Sequence, residues 1–461
     1  MQRGNRHLRL AAACVALVVL ATPYLVPGAA AQQARPVAEP PVDQSVPVPR
    51  SVKLEALLKD LVKTHDRIKA AEAGLQAAQH LVGRAKGAYF PKLDVTVQGG
   101  REDITYGMQN TTTRWRNEED IKLTQLLYDF GGTPGSVALY EGARKEFAAK
   151  LDQARQEVLI QGITSYLQVI RARETLKYAI RSEDNIKRLS GMQEALVQRG
   201  AAFSYEELQV KGQLAGSQAQ RVNVERSLAT AKNNFRAVFG YEPSPEDVEA
   251  FTVPELPGGA IPKTLEAAID KALVENPFLV EIGHTIERQT GDQAARRAAL
   301  FPKFEAIGER QRKEQDQGAF GERVESRATL QMTYNLFSGF SDLENVRSSK
   351  AEQISTRKTL LDRRRGVEER VRNAWVDLMT LRKNVELYEN QANITWEFLG
   401  LVKKKKAMGG EVGLLDILVG ERDYISAISA KVAADIDTII AGYTLLYQMG
   451  QVTVDLVGKQ N

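Results

Sequence analysis

Thiol chemistry is nearly missing from this chain: a single cysteine, Cys14, stands among 461 residues. One thiol closes no disulfide within the chain. It sits inside an apolar run that continues past it, which argues against a lipid-modified terminus. There are only four histidines. His65, His80 and His284 are isolated on helical patterns and read as solvated faces rather than metal ligands. Charge of one sign is also lacking, because 62 Lys and Arg face 58 Asp and Glu, interspersed along the chain. A net charge of +4 is too mild for a nucleic-acid surface. The sequence contains no G-x-x-x-x-G-K-[S/T] phosphate loop, no H-E-x-x-H metal pair and no G-x-S-x-G elbow. An enzyme is therefore not expected, and no catalytic residue, cofactor or metal site is assigned. Past the N-terminal stretch no segment reaches the roughly 18 apolar residues of a membrane-spanning helix. Any place in a membrane must then be taken as strands.

What is present is 43% hydrophobic and 26% charged residues, rich in Ala, Gln, Glu, Lys, Arg and Leu. Long amphipathic helices use this mixture. In "MQRGNRHLRLAAACVALVVLATPYLVPGAAAQQ", Arg3, Arg6 and Arg9 precede an apolar stretch from Leu10 to Leu20 and small residues at Ala29 to Ala31. That is the pattern of an export signal over residues 1–31, too short for a spanning anchor. A proline-rich lead follows over 32–51. A second proline-rich stretch at 241–262 reads as a linker between repeats at 52–240 and 263–450, with a tail at 451–461. A shift of about 210 residues pairs Leu54 with Leu265, Pro91 with Pro302, Tyr166 with Trp375, Gly200 with Gly410 and Gly240 with Gly450.

Each half reads as helix, strand hairpin, long helix, turn, helix. In the first, a helix over Leu54 to Ala88 stops at Pro91, and strands at Leu93 to Thr105 and Ile121 to Phe130 form a hairpin region at 93–130. In the second, strands at Lys303 to Arg312 and Val324 to Phe337 occupy 303–337. "RATLQMTYNLF" sets Ala328, Leu330, Met332, Tyr334 and Leu336 on one side against Thr329, Gln331, Thr333 and Asn335 on the other. "YGMQNTTTRWRNEE" and "EQDQGAFGER" are polar and read as the hairpin loops. Aromatic residues gather at the strand–helix seams: Tyr89, Phe90, Tyr128 and Phe130 in one half, Phe301, Phe337 and Phe340 in the other.

The helical patterns are far longer than globular helices. One runs from about Ser136 to Arg199 and one from Asp342 to Met408. Each is matched in length by two shorter helices: Leu54 to Ala88 with Tyr205 to Val238, and Thr264 to Leu300 with Leu414 to Met449. Val367, Val371, Ala374, Leu378, Leu381, Val385, Tyr388 and Ala392 step by four and three as a coiled-coil seam. Taken alone this seam fits a periplasmic coiled-coil structural or adaptor protein without a pore, the alternative from another class. It leaves the strand hairpins unexplained. Four strands cannot close a barrel, for which about eight are the minimum, and open edges in lipid leave backbone groups unpaired. Several chains would have to share one wall.

The order and spacing of these features resemble the TolC family of outer-membrane export channels over nearly the whole chain after the signal. The likeness rests on the duplication, on "YFPKL" and "LFPKF", on "LLYDFGG" and "LFSGF", on the helical returns "RGAAFSYEELQVKGQLAGSQAQ" and "GGEVGLLDILVGERDYISA", and on "AVFGYEP". It implies a mainly α fold with a transmembrane β-barrel: a homotrimer whose twelve-stranded barrel lies in outer-membrane lipid and continues as a periplasmic helical tunnel. It also implies docking with a periplasmic adaptor (membrane fusion) protein and an inner-membrane ABC or proton-driven transporter. Pro91 and Pro302 would mark the helix-to-strand junctions. The family's tip acids fall six positions after turn glycines, on Glu206 after Gly200 and on Asp416 after Gly410. The Tyr and Arg of its gate fall on Ala407 and Val412, and a further acid on Val419, so that ionic latch is not reproduced. The Lys403 to Lys406 run before the second turn could face an acidic partner or repel across the tip.

Overall fold

The computed structural model describes residues 53–106, 110–201, 203–256, 258–315, 321–409 and 412–458. The export signal with Cys14, the proline-rich lead and Gly410 lie outside them. Two short helices come first, α1 (Leu54–Thr64) and α2 (Asp66–Gly87). They are followed by strands β1 (Lys92–Tyr106) and β2 (Asn110–Tyr128), the long α3 (Gly132–Gln198) and the returning α4 (Ser204–Phe239). After a short α5 (Pro245–Ala250), the second half runs α6 (Leu265–Glu275), α7 (Pro277–Ala298), β3 (Lys303–Glu314), β4 (Glu322–Thr333), α8 (Ser341–Ala407) and α9 (Leu414–Gln448). A last turn, α10, spans Asp455–Gly458.

The strands differ from the sequence expectation in extent. Asn110 to Glu119, read above as loop, is paired with β1 from Tyr106↔Asn110 to Val97↔Glu119. Apart from Trp115 the segment is polar at every position, so no alternation betrays the strand. Glu314 and Glu322, also placed in a loop, pair with each other. At the other end β4 stops at Thr333, and Tyr334 to Phe337 leave the sheet instead of extending its apolar face.

The first helix of each half is broken, not continuous. At His65 the backbone turns extended, with φ −67° and ψ 125°, and the ring Nδ1 accepts from Arg67 N at 3.1 Å to start α2. His65 is thus a cap rather than a residue of a solvated helix face. Asn276 does the same work 211 positions later: its Oδ1 accepts from Phe278 N at 3.0 Å, with Pro277 at the first helical position. Both long helices contain 67 residues, about 100 Å at 1.5 Å per residue. Beside α3 lie α1, α2 and α4, of 11, 22 and 36 residues. Near the sheet the packing runs α2–α3–α7–α8, and toward the far turns it runs α4–α3–α9–α8.

The residues of the periodic stripe on α8 turn inward: Val367, Val371, Ala374, Leu378 and Ala392 are buried, and Leu381, Val385 and Tyr388 half-buried. Val367, Val371, Ala374, Leu378 and Leu381 join the larger core, which gathers Leu57, Leu58 and Leu61 of α1, Ile163, Tyr166 and Ile170 of α3, and Phe235 of α4. Onto this core the linker folds as an ordered belt. The Tyr166 hydroxyl donates to Thr252 O at 3.1 Å and accepts from Thr252 N at 3.0 Å. The buried Arg173 guanidinium donates to the carbonyls of Val248, Glu249 and Phe251 at 2.5, 3.0 and 3.1 Å. No described helix is long and apolar enough to cross a membrane.

Between α3 and α7, Glu146 accepts from Lys150 Nζ at 2.7 Å and from Arg288 Nε at 2.9 Å. Burial alone would raise its pKa, but the two cations outweigh that and hold it below the ordinary carboxylate value. A carboxylate with a depressed folded-state pKa stabilises above its unfolded pKa, and that contribution is lost as pH falls through the folded value. Glu146→Gln is therefore expected to flatten the loss of thermal stability between about pH 5 and pH 3. Melting curves of the two proteins across that range check it.

Candidate functional site: the sheet faces and the helical tip

The strands form one antiparallel sheet in the order β1-β2-β3-β4, which leaves β1 and β4 as edges. Register sorts the residues onto two unlike faces. One carries Leu93, Leu123, Gly308 and Ala328, together with Val95, Ile121, Leu330 and Met332, over the part nearer the helices, while toward the hairpin loops the same face bears Glu119, Arg310 and Arg312. Leu93, Val95, Val97 and Leu330 are all exposed on it, with no helix covering them. On the other face, Asp94, Lys122, Glu309 and Arg327 lie side by side, one per strand, alternating in sign. Glu118 and Lys313 pair at 3.2 Å on that side. An exposed apolar face is unstable in water, and a face this charged is unstable in lipid. The sheet therefore suits a wall with lipid on one side and water on the other.

Where the sheet meets the helices, Phe130 stacks on Phe301 at 5.2 Å and meets Tyr128 edge-on at 4.7 Å, while Phe337 and Phe340 cross at 5.3 Å. Pro91 and Pro302 stand between the last turn of a helix and the first strand residue, Lys92 and Lys303. On the return to helix, Phe130 and Gly131 (φ 50° and 97°) and Gly339 and Phe340 (φ 64° each) take left-handed conformations.

At the opposite end α3 turns into α4 and α8 into α9. Gly200 (φ 70°) and Gly409 (φ 79°) make the turns. The four helices share a small separate core of Ile186, Leu189, Val210, Leu399, Ile417 and Leu418. Glu206 lies on the first turn of α4 and accepts from Gln193 Nε2 at 2.9 Å. Asp416 lies on the first turn of α9, where its carboxylate accepts from Gly413 N at 3.0 Å. Each acid thus makes a contact within its own hairpin, as carboxylates at helix starts do.

The structure joins the two hairpins through Asn185 and Glu421, which were not singled out by sequence, and draws in Lys403 of the lysine run. Glu421 of α9 is only 8% exposed, accepts from Lys403 Nζ of α8 at 2.5 Å and from Asn185 Nδ2 of α3 at 2.5 Å. Lys403 is therefore committed to this node and not available as free charge. Spacing held the clue: Glu421 falls one turn from Ile417, Leu418 and Ile425 on the buried side of α9. Above the node the hairpins part around a cleft of about 850 Å³, lined among others by Arg171, Arg226, Thr175 and Ser426. Arg171 bridges to Asp437 at 3.0 Å farther up. Among the described residues no group of three or more His, Cys, Asp or Glu is placed to hold a metal ion.

Comparison with known proteins bears on this architecture. A model of the outer membrane efflux protein family matches residues 57–241 and 268–446, one segment in each half. The outer membrane efflux protein BepC of Brucella suis is 24% identical over 88% of each chain. The alkaline protease secretion protein AprF of Pseudomonas aeruginosa is 24% identical, covering 83% of this chain and 80% of its own. Among solved structures, the outer-membrane channel OprN superposes with a TM-score of 0.75 at 18% identity, over 87% of this chain and 90% of that one. VceC of Vibrio cholerae gives 0.74 at 14%, over 86% and 96%. With the family match covering both halves, this chain belongs to the outer membrane efflux protein family.

Proposed function

We propose that the chain is the outer-membrane exit duct of a tripartite efflux pump or a type I protein secretion system, a passive conduit with no catalytic step of its own. The observation that carries this is the sheet, with an apolar face, a charged face and two open edges. In lipid each unpaired backbone group costs several kcal/mol, so the edges need neighbours. Three copies sharing a twelve-stranded barrel supply them. The helices then continue the barrel as a periplasmic tube, whose tip docks a periplasmic adaptor and, through it, an inner-membrane ABC or proton-driven transporter. A pore-less periplasmic coiled coil gives no reason for the bare apolar face. Relatives include both a pyoverdine export protein, OpmQ, and a protease secretion protein, so small molecules and polypeptides both stand as cargo classes.

Glu206 and Asp416 ring the tip in this reading, and the Asn185–Glu421–Lys403 node takes the place of the latch that Ala407 and Val412 cannot form. The purified protein is expected to fractionate with the outer membrane, to require detergent, to run as a trimer and to conduct in a planar bilayer. A soluble monomer that needs no detergent and shows no conductance would overturn the proposal.

A further inference from the structure

Over the whole chain acids nearly match bases, 58 against 62. The cleft between the hairpins departs from that balance. Its lining holds an arginine from each of three helices, Arg171 of α3, Arg226 of α4 and Arg422 of α9, and no Asp or Glu among the described residues. Each arginine stands four residues before a lining hydroxyl, Thr175, Thr230 and Ser426 in turn, so cation and hydroxyl share one helix face. Every one of the three helices supplies two Ser or Thr to the lining, and three side-chain amides complete its polar groups.

The positive charge is only partly compensated. Arg171 bridges to Asp437 at 3.0 Å and Arg422 to Asp423 at 2.9 Å, but neither acid lines the cleft. Arg226 has no ion-pair partner among the described residues. A guanidinium has five N–H donors, so Arg171 and Arg422 can each serve a second anion beside the first. Thr175, Ser227 and Thr230 donate to carbonyls of their own helices, whereas Ser182, Ser426 and Ser429 keep their donors for the cleft. The volume of about 850 Å³ exceeds the needs of a single inorganic ion and lies in the range of sites for larger solutes.

Position narrows the ligand further. Gln168, at the end of the cleft nearer the sheet, lies about 55 Å along α3 from its start at 1.5 Å per residue, which puts lipid headgroups out of reach. Arg173 binds the belt through three carbonyls, and Arg171 lies about 200° around the helix from it, so cleft and belt take opposite sides of α3. A layer folded onto the inside of a tube would fill it. The belt therefore lies outside, and the cleft opens to the lumen.

We propose that this cleft binds a small polyanion, a solute of its own size carrying several phosphate or carboxylate groups, and holds it on the way through the tube. The placement in the lumen rests on the duct reading and gives part of its cargo a charge; the site itself is built within one chain.

The test uses the full-length protein in detergent, titrated by calorimetry with inositol hexakisphosphate for phosphate esters, citrate for carboxylates and uncharged inositol as the control. At least one of the two anions is expected to bind saturably, the tighter naming the group, and inositol not at all. Arg226→Gln should weaken that binding about tenfold, the loss of one charge-assisted hydrogen bond. Changing Arg171 and Arg422 to Gln as well should abolish it. Arg181→Gln removes the same charge from α3 outside the cleft and should leave affinity within about twofold, since exposed charges act weakly at a distance. A conducting trimer that binds neither anion, or one weakened as much by Arg181→Gln as by Arg226→Gln, would overturn the site and leave the duct standing. In a planar bilayer the bound anion should lower the current of the unaltered channel but not of the triple variant. Binding without any change in current would overturn the placement in the lumen, and a protein that binds yet never conducts would overturn the duct reading instead.

Discussion

Gly291→Ala is expected to abolish assembly of the protein into the membrane. A Cβ at Gly291 would lie 2.3 Å from Leu139 N and 2.7 Å from Ala138 C, and at Gly142 it would lie 2.6 Å from Arg288 Cα and N. Gly135 meets Ala295 in the same way, at 2.5 Å from its N. α3 and α7 therefore touch backbone to backbone, and no rotamer change relieves the clash. The helices must separate by about an ångström along their contact, and overpacking against rigid backbone costs roughly 3 kcal/mol or more. Gly283→Ala is the matched control, since nothing lies within 4 Å of its Cβ position on the same helix. Alanine favours helix over glycine there by up to about 1 kcal/mol. Detergent-extracted trimer measured for both variants decides the matter: equal yields would show that α3 and α7 are not in contact in the native protein.

Glu421→Ala is expected to raise the resting conductance of the channel about tenfold. Glu421 holds one helix of each hairpin at once, and the cleft above it leaves few other polar ties between them. Its removal leaves the Asn185 amide and the Lys403 ammonium without their acceptor. A buried pair broken on one side costs about 3 to 5 kcal/mol, but Lys403 is half exposed and regains water, so a shift of about 1.4 kcal/mol toward a parted tip is the reasonable scale. That is a factor of ten in the ratio of parted to closed tips. Glu421→Gln keeps an acceptor for Asn185 and should fall between. Single-channel recording of the three proteins would sink the idea if all show the same resting current.

How much of this was legible in the sequence depends on whether a residue's role is local. "YFPKL" and "LFPKF" showed the junctions because proline acts on its own backbone, and "RATLQMT" showed a two-faced strand because its faces differ in polarity. Asn110 to Glu119 escaped because its faces do not differ. The breaks at His65 and Asn276 escaped because a capping side chain leaves no gap in the apolar period. The family resemblance drew attention to Glu206 and Asp416, but Glu421 makes its contacts to positions 236 residues back and 18 residues back, and Gly291 matters only through a helix met in space. Such couplings are properties of the fold.

The row of Asp94, Lys122, Glu309 and Arg327 has an outcome for what passes it. Neighbouring strands are about 4.8 Å apart, so opposite signs repeat on a scale shorter than the Debye length of about 8 Å. Fields from so fine an alternation cancel within a few ångströms of the wall. A solute travelling along the axis meets a surface that is wettable yet electrically blank, and neither anions nor cations accumulate beside it. This stretch of wall would let through whatever fits, leaving choice of freight to machinery upstream.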